Sequence, residues 1–375
     1  MNLPAVIWVP ESTLTSKVAH LPLLDRVVIA CHRAGYQPIH ILSSTPPGRL
    51  PRSTAWGINF THSPDLPRFP GEALALVGNC LIHPADLRRL KDASVRLTDS
   101  AGVMLPALIL SAEECAELSD QPADRLLEKG VGRQPIQALE PTFRVSTPAE
   151  AHAATRQLWA LMRSPSDGLV DRYFNRPIGR FLLSRPLAHT PITPNQISLA
   201  SIALGLWGAW QFSLGSPMAF VLGALLFQLS AIVDCVDGDI ARILYKETSL
   251  GKWLDLAGDQ VVHVGVFAGI AWGQWRNTGD PATLWLGGAT ILGAVLSFGV
   301  VLRGILSPAL SRDPNLQRFI DGATSRDFSV LVLLLACVGR LGWFLWLSAI
   351  GSHVFWLTAL WLQQRSRRDR SLCGA

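Results

Sequence analysis

The chain has 375 residues, of which 49% are hydrophobic and only 16% charged, with a net charge of +5. That balance excludes an ordinary soluble globule and points to membrane spans. The basic excess does not mark a nucleic-acid binder, because the arginines gather beside the apolar stretches, where anionic lipid headgroups are the expected partner. The opening MNLPAVIWVP has neither a basic n-region nor a long apolar run, so no signal peptide is expected. Six cysteines (Cys31, Cys80, Cys115, Cys235, Cys337 and Cys373) lack metal-type or disulfide-type spacing and read as free thiols in a reducing compartment.

Residues 1–145 read as a soluble α/β domain. Strands are predicted at Ala5–Val9, Ile39–Leu42 and Ala73–Val77, and helices at Leu23–Ala34 and about Pro84–Leu90. Strands alternating with helices predict a Rossmann-like sheet with crossover connections. Ser44–Pro70 is rich in Pro and Ser and gives no clear element. LPLLDRVVIACHRAGYQPIHIL and ALALVGNCLIHPADLRRL resemble sugar-phosphate nucleotidyltransferases. In such enzymes a Gly-rich loop after the first strand holds the nucleotide phosphates on its backbone N–H groups. Here that place reads VPESTLTSK, without glycine, and Asn79 stands where the resemblance implies a metal-binding Asp. The expectation is a degenerate domain that serves as scaffold or regulator. A bifunctional chain whose first domain makes a nucleotide-linked alcohol stays open as an alternative.

Residues 146–190 read as a linker with amphipathic juxtamembrane helices. Thr147, Pro148 and Glu150 suit a helix start, and Ser164–Gly168 a break. Leu169, Val170, Tyr173, Phe174, Ile178, Phe181 and Leu182 then form one apolar face, with Arg172, Asn175, Arg176 and Arg180 on the other. This pattern predicts a helix in the membrane interface, kinked at Pro177. Its arginines read as lipid anchors, with Arg176 or Arg180 also in reach of a substrate phosphate.

Six apolar spans follow within 191–365, near 196–214, 218–242, 252–273, 281–303, 324–340 and 342–363, each of roughly 20 residues as a bilayer core requires. Basic residues concentrate on one side: before the first span, at Lys246 and Lys252, at Arg303, Arg312, Arg318 and Arg326, and in the tail of residues 366–375. The positive-inside rule places both termini in the cytoplasm of a multi-pass protein of the cell membrane. Trp272, Trp275 and Trp285 would then belong to the outer aromatic belt.

The most informative stretch is DCVDGDIARILYKETSLGKWLDLAGD, from Asp234 to Asp259. Ionisable groups in apolar sequence are costly and mark function. On a helix, Asp234, Asp237, Gly238, Ala241 and Arg242 share one face, as do Gly251, Asp255 and Asp259. Two facing helices would converge four carboxylates, which repel unless a cation sits among them. Carboxylate-only ligation suits Mg²⁺ or Mn²⁺. Gly238 and Ala241 leave room for a flat or large group, and Arg242 suits a phosphate. Each residue taken alone also fits a buried polar pair or a small-residue packing face; the full set at this spacing does not.

Asp234-x2-Asp237-Gly238-x2-Ala241-Arg242-x8-Gly251-x3-Asp255-x3-Asp259 resembles the signature of the CDP-alcohol phosphotransferase family at all eight fixed positions. The resemblance runs from about Asp171 to the last apolar span. It implies an all-α six-helix membrane bundle, a homodimer, and attack by an acceptor alcohol on a CDP-linked donor with release of CMP. It further implies two Mg²⁺ or Mn²⁺ ions held by Asp234, Asp237, Asp255 and Asp259, with Asp259 also the general base. Gly238 and Ala241 would admit cytidine, Arg242 would hold the diphosphate, and Gly251 would allow close packing or nucleotide approach. A divalent-cation transporter is the rival class, since intramembrane carboxylates also line ion paths. Asp239 falls off the motif face and reads as solvated or capping. His263 continues the Asp255–Asp259 stripe and reads as a satisfied intramembrane histidine or an acceptor-pocket residue. Lys246, Lys252, Arg303 and Arg326 are candidates for an acceptor phosphate or for lipid anchoring. His353 shows no clear role. Donor and acceptor identities are not encoded in the motif.

Overall fold

A computed structural model describes residues 3–90, 94–118, 122–162, 167–307 and 328–373, without the side chains of Ile305 and of residues 366–373. Arg312, Arg318, Arg326, the first residues of the fifth predicted span and the side chains of the basic tail beyond Arg365 lie outside it. The chain divides into two compact units, Met1–Leu161 and Met162–Ala375.

The first unit is a mixed α/β structure. Its strands β1 (Ala5–Trp8), β2 (Ile39–Leu42), β3 (Phe60–Ser63), β4 (Glu72–Val77) and β5 (Ala107–Ser111) form one sheet in the order β3-β2-β1-β4-β5. The first four run parallel and β5 pairs antiparallel with β4. Ile7 lies opposite both Ile41 and Leu76, and all four residues of β1 are buried. A central strand covered on both faces reads as an unbroken apolar run, which is why AVIW was legible. Helix α1 (Leu23–Ala34) ends on Gly35 at φ +91°, a left-handed cap that glycine adopts without strain. Helix α2 (Pro148–Leu161) starts where Thr147 predicts it and packs with this unit: the Ala19 N–H donates to Thr155 Oγ1 at 2.9 Å. Strand β3 emerges from the Pro/Ser-rich stretch that showed no element. Its sequence FTHS alternates without a buried face, so no hydrophobic period announces it.

Burial pushes the thiols of Cys31, Cys80 and Cys115 up to about 12. A thiol reacts through its thiolate. The folded protein at pH 8 is therefore expected to leave these three cysteines unalkylated by iodoacetamide, and to label them after denaturation. Mass spectrometry of the labelled peptides checks this.

The second unit is helical. Its first segment, Asp171–Leu187, runs on as one helix through Pro177 and Pro186 by way of two wide π-type turns, Asp171–Asn175 and Arg180–Ser184. Proline lacks the N–H and crowds the preceding turn; widening the turn just before each proline accommodates it. Further helices follow: α3 (Pro194–Ser213), α4 (Pro217–Ile243), α5 (Ser249–Thr278), α6 (Ala282–Leu306), the shorter α7 (Phe328–Cys337) and α8 (Leu341–Cys373). Their starts are written locally. Thr193 and Gln196 make a reciprocal capping box ahead of Pro194, Ser216 caps α4, and Thr248 caps α5. Among the described residues, four helices, α4, α5, α6 and α8, are long and apolar enough to cross a membrane.

Helix α3 packs against both α4 and α5 through small residues. A Cβ on Gly208 would come within 2.9 Å of the Gly223 carbonyl oxygen, and one on Gly273 within 1.9 Å of the Phe212 carbonyl oxygen. Such contacts let backbones approach as closely as helices in lipid require. Phe212, Phe227, Val266 and Ile270 fill the core between them.

Candidate metal and nucleotide site

Helices α4 and α5 are joined by the short connection at Leu244–Thr248, and they bring the two halves of the motif together. Asp234 and Asp237 lie one turn apart on α4, and Asp255 faces them from α5. Each offers a carboxylate oxygen, and these oxygens lie within 4.8 Å of one another. Asp237 is buried, Asp234 half-buried and Asp255 exposed. Three carboxylates at this separation repel one another, and a divalent cation is what relieves that repulsion. The donor set is oxygen only, open to one side and flanked by a cavity, so it fits a hard ion such as Mg²⁺ or Mn²⁺ that keeps water or substrate ligands.

A cavity of about 480 Å³ opens beside this group. Six of the eight motif residues line it: Asp237, Gly238, Ala241, Arg242, Gly251 and Asp255. Asn195 and Ser198, from the first turn of α3, form another wall, and Lys246 and Lys252 add positive charge at the α4–α5 connection. A Cβ at Gly251 would sit 2.8 Å from Asn195 Oδ1 and 3.0 Å from Thr248 Oγ1. Close packing against α3 and against its own cap therefore accounts for this glycine. The Arg242 guanidinium folds back over Gly238, 2.9 Å from where a Cβ would stand.

Asp259 is placed differently. It lies one turn further along α5, outside the three-carboxylate group, and lines a second cavity of about 480 Å³ together with Gln260 and His263. That cavity is walled mainly by apolar side chains, among them Phe298, Phe328 and Phe355. The His263 ring sits among the rings of Phe227, Phe328 and Phe267, at centroid distances of 6.4, 5.1 and 6.2 Å.

Asp239 is neither solvated nor a cap. It is 1% exposed and accepts from Arg176 Nη1 at 2.5 Å and Arg180 Nε at 2.7 Å, with Arg242 Nη2 at 3.4 Å. Arg176 also donates to Asp167 at 2.6 Å. The polar side of the interfacial helix thus turns inward onto α4: Asn175 donates to Asp171 and accepts from Gln228. Leu169, Tyr173, Phe181 and Leu182 face outward and are well exposed. The helix has the expected amphipathicity, but Arg176 and Arg180 are engaged with carboxylates rather than left to anchor lipid or to reach a phosphate. No local sequence signal announced this, beyond the i, i+4 spacing of the two arginines.

Other candidates fall away from the cavity. Arg303 lies at the end of α6 and lines neither the cavity beside the carboxylates nor the one that holds Asp259, but a separate one with Leu302 and Leu306. His353 bridges helices: Trp356 Nε1 donates to its Nδ1 at 2.9 Å, so its Nε2–H is directed to the Ala289 carbonyl at 3.1 Å.

Taken together, the second unit is a bundle of apolar helices that carries an acidic, oxygen-only group beside a partly basic cavity. Residues 191–361 match the family described as CDP-alcohol phosphatidyltransferase, and the chain belongs to that family. A cardiolipin synthase (CMP-forming) of Streptomyces coelicolor is 30% identical over 173 residues, covering 45% of this chain and 76% of that protein. The bifunctional IPC transferase and DIPP synthase of Thermococcus kodakarensis is 29% identical over 195 residues, covering 51% of this chain. The matched stretch spans only 43% of that relative's length, and 43% of the protein of the same description from Rubrobacter xylanophilus. Among solved structures, the phosphatidylinositol phosphate synthase of Mycobacterium tuberculosis with CDP-DAG bound aligns over 50% of this chain and 92% of its own. The identity is 21% and the TM-score 0.41. The apolar helices and the family together make this a membrane protein.

Proposed function

We propose that this chain transfers a substituted phosphate group from a CDP-alcohol, either CDP-diacylglycerol or a CDP-polyol, to an acceptor hydroxyl and releases CMP. The observation that carries this reading is the convergence of six signature residues on one cavity beside three clustered carboxylates. Asp234, Asp237 and Asp255 would hold Mg²⁺ or Mn²⁺, and Asp259 would complete the ligand set for a second ion. Bound there, such ions would supply positive charge against the donor diphosphate and the attacking and leaving oxygens. Gly238 and Ala241 leave space for cytidine, and Arg242, swinging off Gly238, pairs with the diphosphate. Asp259 takes the proton from the acceptor hydroxyl. The acceptor oxygen then forms its bond to the phosphorus that carries the alcohol, the bond from that phosphorus to the CMP oxygen breaks, and CMP leaves with the electron pair.

Six helices, α3 to α8, would form the membrane domain, with the site and both termini on the cytoplasmic side of the cell membrane. A homodimer follows from the family resemblance. The first unit is proposed to be a Rossmann-like, degenerate nucleotidyltransferase-like domain. A crevice of about 550 Å³ lies at the carboxyl ends of its parallel strands, where α/β sheets bind ligands. Glu11 and Asp124 line it, and the described lining residues include no Lys or Arg. That favours a scaffold over nucleotidyl transfer.

Equilibrium binding of CDP to the purified chain tests the assignment. Binding that needs Mg²⁺ and weakens in Arg242→Gln is expected. No CDP binding with Mg²⁺ present, alongside Mn²⁺ uptake into proteoliposomes, would overturn it in favour of cation transport.

A further inference from the structure

The first turn of α3 carries chemistry that the motif does not contain. Ser198 is 4% exposed, lines the cavity, and its Oγ donates to Asp237 Oδ2. The same hydroxyl lies 3.2 Å from the Pro194 carbonyl oxygen, the ordinary i−4 partner of a helical serine. A hydroxyl has one proton to give, and an ionised carboxylate is the stronger acceptor. One turn on, Ser201 Oγ stands 3.5 Å from Asp234 Oδ1, but its proton is directed to the Ser198 carbonyl at 2.8 Å. Ser230 Oγ in turn donates to the Ser201 carbonyl at 2.7 Å. Consecutive helices α3 and α4 thus face each other with Ser198 against Asp237 and Ser201 against Asp234. Of Ser198, Ser201 and Ser230, Ser198 is the one directed at a carboxylate.

We infer that Ser198 is a positioning residue for the metal site: its hydroxyl fixes the rotation of the Asp237 carboxylate and so sets the affinity of the three-carboxylate group for a divalent cation. A carboxylate that turns freely pays for its own ordering when it ligates, and a fixed donor removes that cost. Outer hydrogen bonds of this kind commonly contribute about 10–100-fold in metal affinity. The buried setting strengthens the bond, because little water competes for Asp237 on the α3 side. The inference rests on the metal reading given above, and its test separates the two.

The experiment is titration of the purified full chain with Mn²⁺, with free Mn²⁺ read by electron paramagnetic resonance, for wild type, Ser198→Ala, Ser198→Thr and Asp237→Asn. Thermal melts run in parallel. Ser198→Ala is expected to weaken Mn²⁺ binding by about 10-fold or more. Ser198→Thr, which keeps the hydroxyl, is expected to restore it, and Asp237→Asn to abolish the site. Where Ser198→Ala does not fold, Ser198→Cys, of similar shape and with only a weak S–H donor, supplies the same comparison. Wild-type affinity in a folded Ser198→Ala or Ser198→Cys, with the site lost in Asp237→Asn, overturns the role of Ser198 alone. Unchanged Mn²⁺ binding in Asp237→Asn overturns both the role and the metal reading beneath it.

Discussion

Replacing Asp259 by Asn is expected to lower CMP release by about 10²–10⁴-fold, the usual contribution of a positioned general base. The amide is nearly isosteric, so the fold should survive, while the carboxylate proposed to accept the acceptor's proton is gone. The placement of Asp259 makes the prediction sharper than loss of activity alone. It lies outside the group formed by Asp234, Asp237 and Asp255, so Asp259→Asn should still bind Mn²⁺ there. Asp237→Asn should lose metal and turnover together. Turnover assays paired with Mn²⁺ titration of both variants check this. An Asp259→Asn protein that turns over at the wild-type rate would remove the residue from the chemistry.

The second large effect is on stability. Asp239→Asn leaves the half-buried Arg180 guanidinium beside a neutral amide, and Arg176 with Asp167 as its remaining carboxylate. Breaking a buried pair by removing one partner costs about 3–5 kcal/mol, because the remaining charge is uncompensated. The Arg242 contact is longer and its side chain 31% exposed, so it adds little. A clear fall in the thermal midpoint is expected. Adding Arg180→Gln should recover part of it, since that removes the stranded cation. An Asp239→Asn protein that melts with the wild type would mean that the interfacial helix does not depend on Asp239.

The contrast between these two aspartates shows what local sequence carries and what it does not. The motif was legible because helical spacing alone puts Asp234, Asp237, Gly238, Ala241 and Arg242 on one face, and the structure lines one cavity with most of them. The same periodicity put Asp255 and Asp259 on one face of α5. It is silent about depth, however: one turn is about 5.4 Å along the axis, enough to place the two residues on different cavities. Asp239 was misread because its partners lie 59 and 63 residues away in sequence. Nothing local distinguishes a solvated aspartate from one that holds two arginines in place. The same holds for Ser198, whose role depends on α4 lying against α3. In the first unit, buried strands such as β1 could be read from continuous apolar runs, whereas β3 carries no buried face and was hidden among prolines and serines.

The cavity beside Asp234, Asp237 and Asp255 is proposed to carry out phosphotransfer from a CDP-alcohol. The most direct test is CMP release by the purified full chain, with and without Mg²⁺, across CDP-diacylglycerol and CDP-polyol donors and a panel of alcohol acceptors. At least one donor–acceptor pair is expected to yield CMP only when Mg²⁺ is present. No CMP from any pair, in a folded protein that still binds Mn²⁺, would contradict it.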